Sequence, residues 1–128
     1  DGTIYPPAQG LMGKNLLAAG VKDTYNFGPV LIKDGEAQLP WAETEKYYPR
    51  TAVGMVKPND YVLLVTDTGN YNGLNHWDMV NIFKSYGCTY AYNLDGGGSA
   101  TMYFNGKVMN KLIGNTQRPC ADFLYFTR

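Results

Sequence analysis

Three consecutive glycines, Gly96-Gly97-Gly98, stand between two runs that favour extended backbone, Thr89-Tyr90-Ala91-Tyr92 before them and Met102-Tyr103-Phe104 after them. Glycine loses more backbone freedom on folding than any other residue, so a triplet at a strand junction makes sense where a positive φ or a close backbone approach is required. A nest of N–H groups around an anion is one such use, and a bulged or flexible hairpin is the bland alternative. Asn93, Asp95, Ser99 and Thr101 crowd the triplet with an amide, an acid and two hydroxyls, which favours a site. Phosphate loops and dinucleotide fingerprints need a helix after their glycines, and this chain continues as a strand.

The 128 residues suit one domain, 1–128, large enough to bury a core without staples. Eleven basic and eleven acidic residues cancel without a block of like charge, which leaves no electrostatic footprint for nucleic acid or an anionic membrane. Apolar runs such as Tyr61-Val62-Leu63-Leu64-Val65 are far too short for a transmembrane segment. Any anionic ligand must therefore be held by local groups. Cys88 and Cys120 match no metal-ligand spacing, and two buried thiols are expected rather than a disulfide.

Read in order, the chain predicts a helix over Leu11 to Ala19 closed by Gly20, and a strand from Asn26 turning at Asp34-Gly35. Pro40 to Tyr48 reads as loop. Pro49 to Val56 and Tyr61 to Thr66 predict a hairpin across Lys57-Pro58-Asn59-Asp60, and the nearly continuous apolar character of the second strand predicts a central place buried on both faces. Asn75 fits the N-cap of a helix in which Trp77, Val80 and Phe83 share a stripe, with Asp78 in the capping-box position and Gly87 as the stop. Cys88 to Leu94 predicts a strand, Asn105-Gly106 a second tight hairpin, and Ala121 to Phe126 a closing strand. The class is α+β: a mixed, mainly antiparallel sheet with one or two helices packed on it.

Asp67 and Asp95 each follow an apolar strand, where a rigid scaffold presents a side chain to a cleft, although an Asx turn competes strongly at Asp67. Asp78 already has a structural task in its cap and is a weaker candidate acid. Arg50 and Arg118 sit beside Pro49 and Pro119, and guanidinium groups there could grip a phosphate or carboxylate through paired hydrogen bonds, or simply face solvent. His76 is the only histidine, which leaves a Ser-His-Asp triad or a multi-imidazole metal site unsupported; a surface or capping role is expected for it. Ser99 lies outside a nucleophile elbow and reads as an anion donor.

The motifs Asn93-Leu94-Asp95-Gly96-Gly97-Gly98-Ser99-Ala100-Thr101-Met102, Arg50-Thr51-Ala52-Val53-Gly54, Phe27-Gly28-Pro29-Val30-Leu31 and Arg118-Pro119 together resemble the phosphodiester glycosidase family, whose bacterial members are often labelled exopolysaccharide biosynthesis proteins. The resemblance runs from about Leu11 to Phe126. It implies that Arg50, Asp67, Asn93, Asp95, Gly96, Gly97, Gly98, Ser99 and Arg118 lie around one pocket; the candidate catalytic residues are then Asp95, Asp67 and Asp78, and the candidate substrate-binding residues Arg50, Arg118, Asn93, Gly96, Gly97, Gly98, Ser99 and Thr101. No cofactor or metal is expected; the resemblance implies a phosphorylated glycan or sugar phosphate as partner, and an extracellular or cell-envelope location. Three departures stand out. The family's Asn-Gly-Gly-Phe-Phe type motif does not occur, so the chain is expected to be the C-terminal portion of the domain, completed by an upstream half or a second copy. Asp67-Thr68-Gly69 replaces an expected Asp-Gly-Arg, and Asp78 replaces a glutamate.

Three functions fit this reading. The first is hydrolysis of the bond between an anomeric carbon and a phosphodiester, in which the arginines and the glycine turn hold phosphate while Asp95 acts on water or the anomeric centre and Asp67 orients the sugar. The second is a non-catalytic module binding phosphorylated envelope glycans, and the third a metal-assisted phosphodiesterase built on Asp67 and Asp95.

Overall fold

Asp34 and Gly35 both take positive φ, 52° and 79°, the turn geometry whose twist matches that of the flanking strands. They fold β1 (Val30–Lys33) onto β2 (Glu36–Ala37), and Asn105-Gly106 does the same between β6 (Tyr103–Phe104) and β7 (Lys107–Val108). The computed structural model describes residues 2–5, 12–39, 46–67, 69 and 72–127. Leu11 and residues 40–45 of the expected loop lie outside them.

β3 (Thr51–Lys57) and β4 (Asp60–Val65) form the long hairpin, and β5 (Tyr90–Leu94) pairs with the other side of β3. The resulting five-stranded sheet has the order β2-β1-β5-β3-β4, and every pairing is antiparallel. The expected α+β class holds. The expected central place of the apolar strand does not: β4 is an edge strand, and Leu63 is 41% exposed. An apolar run reports affinity for a pleated surface and carries no information about how many neighbours flank it.

Helix α2 (His76–Ser85) covers one face of the sheet. Asn75 caps it by accepting the N–H of Asp78 at 2.8 Å, and Gly87 ends it with paired bonds from Cys88 N–H to Phe83 and from Gly87 N–H to Lys84. The buried stripe is His76, Met79, Val80 and Phe83, at spacings i, i+3, i+4 and i+7. This corrects two expectations. Trp77 lies outside the stripe and is exposed, and His76, expected at the surface, is buried at its start. Phe83 packs where Gly54 leaves room, since a β-carbon on Gly54 would come within 2.5 Å of the ring and 2.8 Å of Cys88 Sγ. Leu31, Ile32, Ala52 and Ala91 complete the core beneath the helix.

The first helix, α1 (Gly13–Ala18), closes at Gly20 as expected and buries none of its residues, whereas α2 buries four. The segment from Ala121 to Phe126 forms no strand. Its aromatic residues are exposed, and Phe126 tilts against Tyr61 on the edge strand with centroids 5.5 Å apart. Of the two free thiols, Cys88 is buried, and desolvation pushes it above its usual range; Cys120, expected inside, is exposed on that irregular segment.

Candidate active site

Thr51 pairs with Val65 on one side and Leu94 on the other, so β4 and β5 leave the sheet at the same end, flanking β3. Asp67 and Asp95 follow directly. Two strand spacings set the last paired residues, Val65 and Leu94, about 10 Å apart.

Asp95 opens the glycine turn. Gly97–Ser99 form a single 3-10 turn, and a β-carbon on Gly96 would meet the Pro49 carbonyl oxygen at 2.5 Å, so only glycine lets the turn lie against the entry to β3. Gly97 N–H donates to that carbonyl at 2.8 Å while its own φ is +57°. The turn brings the Ser99 hydroxyl to 2.7 Å from Asp95 Oδ2, to which it donates, and Arg118 Nη2 donates to the same oxygen at 3.1 Å. A β-carbon on Gly98 would come into ordinary contact with the Arg118 side chain, 3.6 Å from its Cδ. Asp95, Ser99 and Arg118 thus form one cluster.

The expected cradle of amides is only partly present. The N–H groups of Gly97, Ser99 and Ala100 donate to the carbonyls of Pro49, Gly96 and Gly97, so the turn offers a ligand chiefly the Ser99 hydroxyl and the guanidinium beside it.

Arg50 does not join this cluster through its side chain. Its Nε donates to the Leu74 carbonyl at 3.2 Å and its Nη2 to the Lys46 carbonyl at 2.9 Å, with the guanidinium 5.4 Å from the Tyr48 ring centroid. It braces the bridge between Tyr48 and Leu74, beside a depression of about 170 Å³ shared with Lys46 and His76. Asn93 also departs from expectation. The two-residue period of β5 turns it to the helix-covered face, where it is 1% exposed and donates from Nδ2 to the Gly28 carbonyl at 2.7 Å. Thr101 is half-buried where the chain leaves the turn.

Asp67 and Asp78 line a cavity of about 750 Å³, whose walls include Tyr47, Leu74, Asn81, Ile82, Met102, Met109 and Asn110. The mix of apolar walls with carboxylates and amides suits a ring bearing hydroxyl groups. Asp67 is committed to backbone: Oδ2 accepts the N–H of Lys111 at 2.7 Å and Oδ1 that of Gly69 at 2.8 Å. Those bonds, Lys111 first, hold its carboxyl below the usual range, so it stays ionised and acceptor-only. Among the described residues, no three His, Cys, Asp or Glu side chains gather as a metal site. Sequence reasoning missed Asn110 and Asn81; Asn110, just past a tight hairpin, reads there as ordinary loop.

The antiparallel sheet with its helix agrees with the comparisons. The chain belongs to the phosphodiester glycosidase family, whose model matches residues 3–127. It is 32% identical to the SPbeta prophage-derived uncharacterized protein YomE of Bacillus subtilis over 115 residues, 85% of this chain and 18% of that protein. It is 41% identical to mouse N-acetylglucosamine-1-phosphodiester alpha-N-acetylglucosaminidase over 58 residues, 44% of this chain and 11% of that protein. The solved zebrafish catalytic domain of the same glycosidase, auto-inhibited by its pro-peptide, superposes with a TM-score of 0.55 at 27% identity, covering 65% of this chain and 33% of that one. The chain therefore spans less than a fifth of the curated relatives it matches.

Proposed function

We propose that this chain contributes the phosphate-gripping part of a hydrolase that cleaves the bond between a sugar's anomeric carbon and a phosphodiester. The observation that carries the reading is the convergence of Arg118 and Ser99 on one oxygen of Asp95. At rest the guanidinium is neutralised by the carboxylate. An incoming phosphodiester competes for Arg118 and the Ser99 hydroxyl, as charge-assisted bonds to phosphate favour, and so uncovers Asp95 Oδ2. Asp95 then takes a proton from water as the water oxygen bonds to the anomeric carbon, and the carbon–oxygen bond to phosphate breaks. The products are the free sugar and a phosphate monoester, a leaving group stable enough to need little general-acid help.

Under this reading the sugar ring enters the cavity lined by Asp67, Asp78 and Asn81, a lining that does not include Asp95, Ser99 or Arg118. A phosphorylated glycan outside the cytoplasm or in the cell envelope is the natural substrate under this reading. No helix among the described residues is long and apolar enough to cross a membrane.

Release of sugar from UDP-N-acetylglucosamine and from a glycan phosphodiester tests it, with the chain in its complete domain. Asp95→Asn should lower turnover at least 100-fold with the fold intact, and undiminished turnover would remove Asp95 from the mechanism. The engagement of Arg50 and of the turn's amides within the protein favours a second reading, a module that binds such ligands without hydrolysis. Calorimetric binding with no sugar released by the complete domain would select it.

A further inference from the structure

Asn110 belongs to none of the motifs, yet both ends of its amide are in use. Oδ1 accepts the N–H of Met102 at 2.8 Å, and Nδ2 donates to the carbonyl of Ala100 at 2.8 Å. These two bonds span Thr101, the residue by which the chain leaves the glycine turn. Met109 N–H donates to the Met102 carbonyl at 2.8 Å, and the next residue after Asn110 donates its N–H to Asp67 Oδ2 at 2.7 Å. The strand leaving the glycine turn is thereby fastened to the strand returning from the β6–β7 hairpin, and that strand is fastened to the carboxylate at the end of β4.

We propose that Asn110 is a positioning residue for the Asp95–Ser99–Arg118 cluster, a role that rests on reading that cluster as the reacting site. The turn before it contains three glycines, which do not restrain Ser99 by themselves. The Gly97 N–H bond to Pro49 holds the start of the turn, and the Asn110 bonds hold the chain where it leaves, so that Ser99 is fixed from both sides. Asparagine supplies the brace at the exit because its short side chain carries an acceptor and donors together. Aspartate keeps the acceptor for Met102 and loses the donor to Ala100; alanine loses both. The same brace places Met102, Met109 and Asn110 itself on the cavity wall, so it couples the shape of the sugar pocket to the phosphate end of the site.

Three measurements on Asn110→Ala and Asn110→Asp test the proposal. Amide hydrogen exchange at Met102 should accelerate at least tenfold in Asn110→Ala and stay near wild type in Asn110→Asp, with β3 and β5 unchanged in both. Inorganic phosphate titrated against the Ser99 and Arg118 resonances should bind about tenfold more weakly in Asn110→Ala. Turnover of UDP-N-acetylglucosamine by the complete domain should fall about 100-fold in kcat, the size expected when reacting groups are displaced by about 1 Å, with KM rising by no more than the roughly tenfold lost in phosphate affinity. Unchanged exchange at Met102, or faster exchange with phosphate affinity intact, would overturn the positioning role. A wild-type protein without turnover would instead sink the hydrolase reading, and exchange and phosphate affinity would still decide the role of Asn110.

Discussion

Arg118 reaches back 23 residues to place Nη2 3.1 Å from Oδ2 of Asp95. The two side chains are 58% and 48% exposed, and an ion pair that open to solvent contributes only about 0–1 kcal/mol to stability. Such a pair is better suited to exchanging partners than to holding a fold.

Arg118→Ala should therefore leave the thermal midpoint within a few degrees of wild type while weakening phosphate binding by roughly tenfold or more, the scale of a lost charge-assisted hydrogen bond. Arg118→Lys should recover only part of the affinity, because an ammonium lacks the planar fork. Calorimetry and thermal melts on the same samples separate the two effects. An alanine variant with full phosphate affinity would refute the assignment.

Gly96 and Gly97 make different demands on the turn. A β-carbon at Gly96 strikes the Pro49 carbonyl oxygen, whereas one at Gly97 meets nothing within 4 Å and suffers only from its positive φ. Gly97→Ala should cost about 1–2 kcal/mol. Gly96→Ala should push the turn off Pro49 and break the Gly97 N–H bond to it, for a cost of about 1–3 kcal/mol and larger shifts at Ser99. Denaturant unfolding and amide spectra would show this. Equal, small effects from both substitutions would contradict the packing described.

Asp67 carries a sign that acid titration can read. Its folded carboxyl titrates below the ordinary value of 3.8 because the Lys111 and Gly69 N–H groups bond the charged form. A depressed value means stability that is present above the unfolded value and lost as pH falls through the folded one. Wild type should thus weaken as pH drops below about 4, and Asp67→Asn should be less stable at neutral pH with a flatter acid limb. An acid limb unchanged by Asp67→Asn would show that the carboxylate contributes nothing there.

Much of the local structure could be read from residues a few positions apart. Asp34-Gly35 and Asn105-Gly106 specify tight turns by their own φ preferences, and Asn75, Gly20 and Gly87 mark helix ends through bonds that span three to five residues. Asp95 and Ser99 were each legible as candidates beside the glycine turn, and the bond between them is seen only in the structure. The side chain of Arg50, by contrast, reads equally well as a phosphate ligand until the Leu74 carbonyl, 24 residues on, is seen to hold it. His76 becomes a core residue only once Met79, Val80 and Phe83 define which stripe of α2 faces the sheet.

The residues alone thus determined the turns, the caps and most of the strands, because each depends on backbone preferences and hydrogen bonds within a few residues of chain; the strand expected over Ala121 to Phe126 does not form. Tertiary structure alone decided that β4 is an edge, that Arg118 rather than Arg50 meets Asp95, that Asn93 is buried, and that Asn110 braces the turn. Those outcomes depend on which strands pair and on where side chains find partners many residues away, and no local preference encodes that choice.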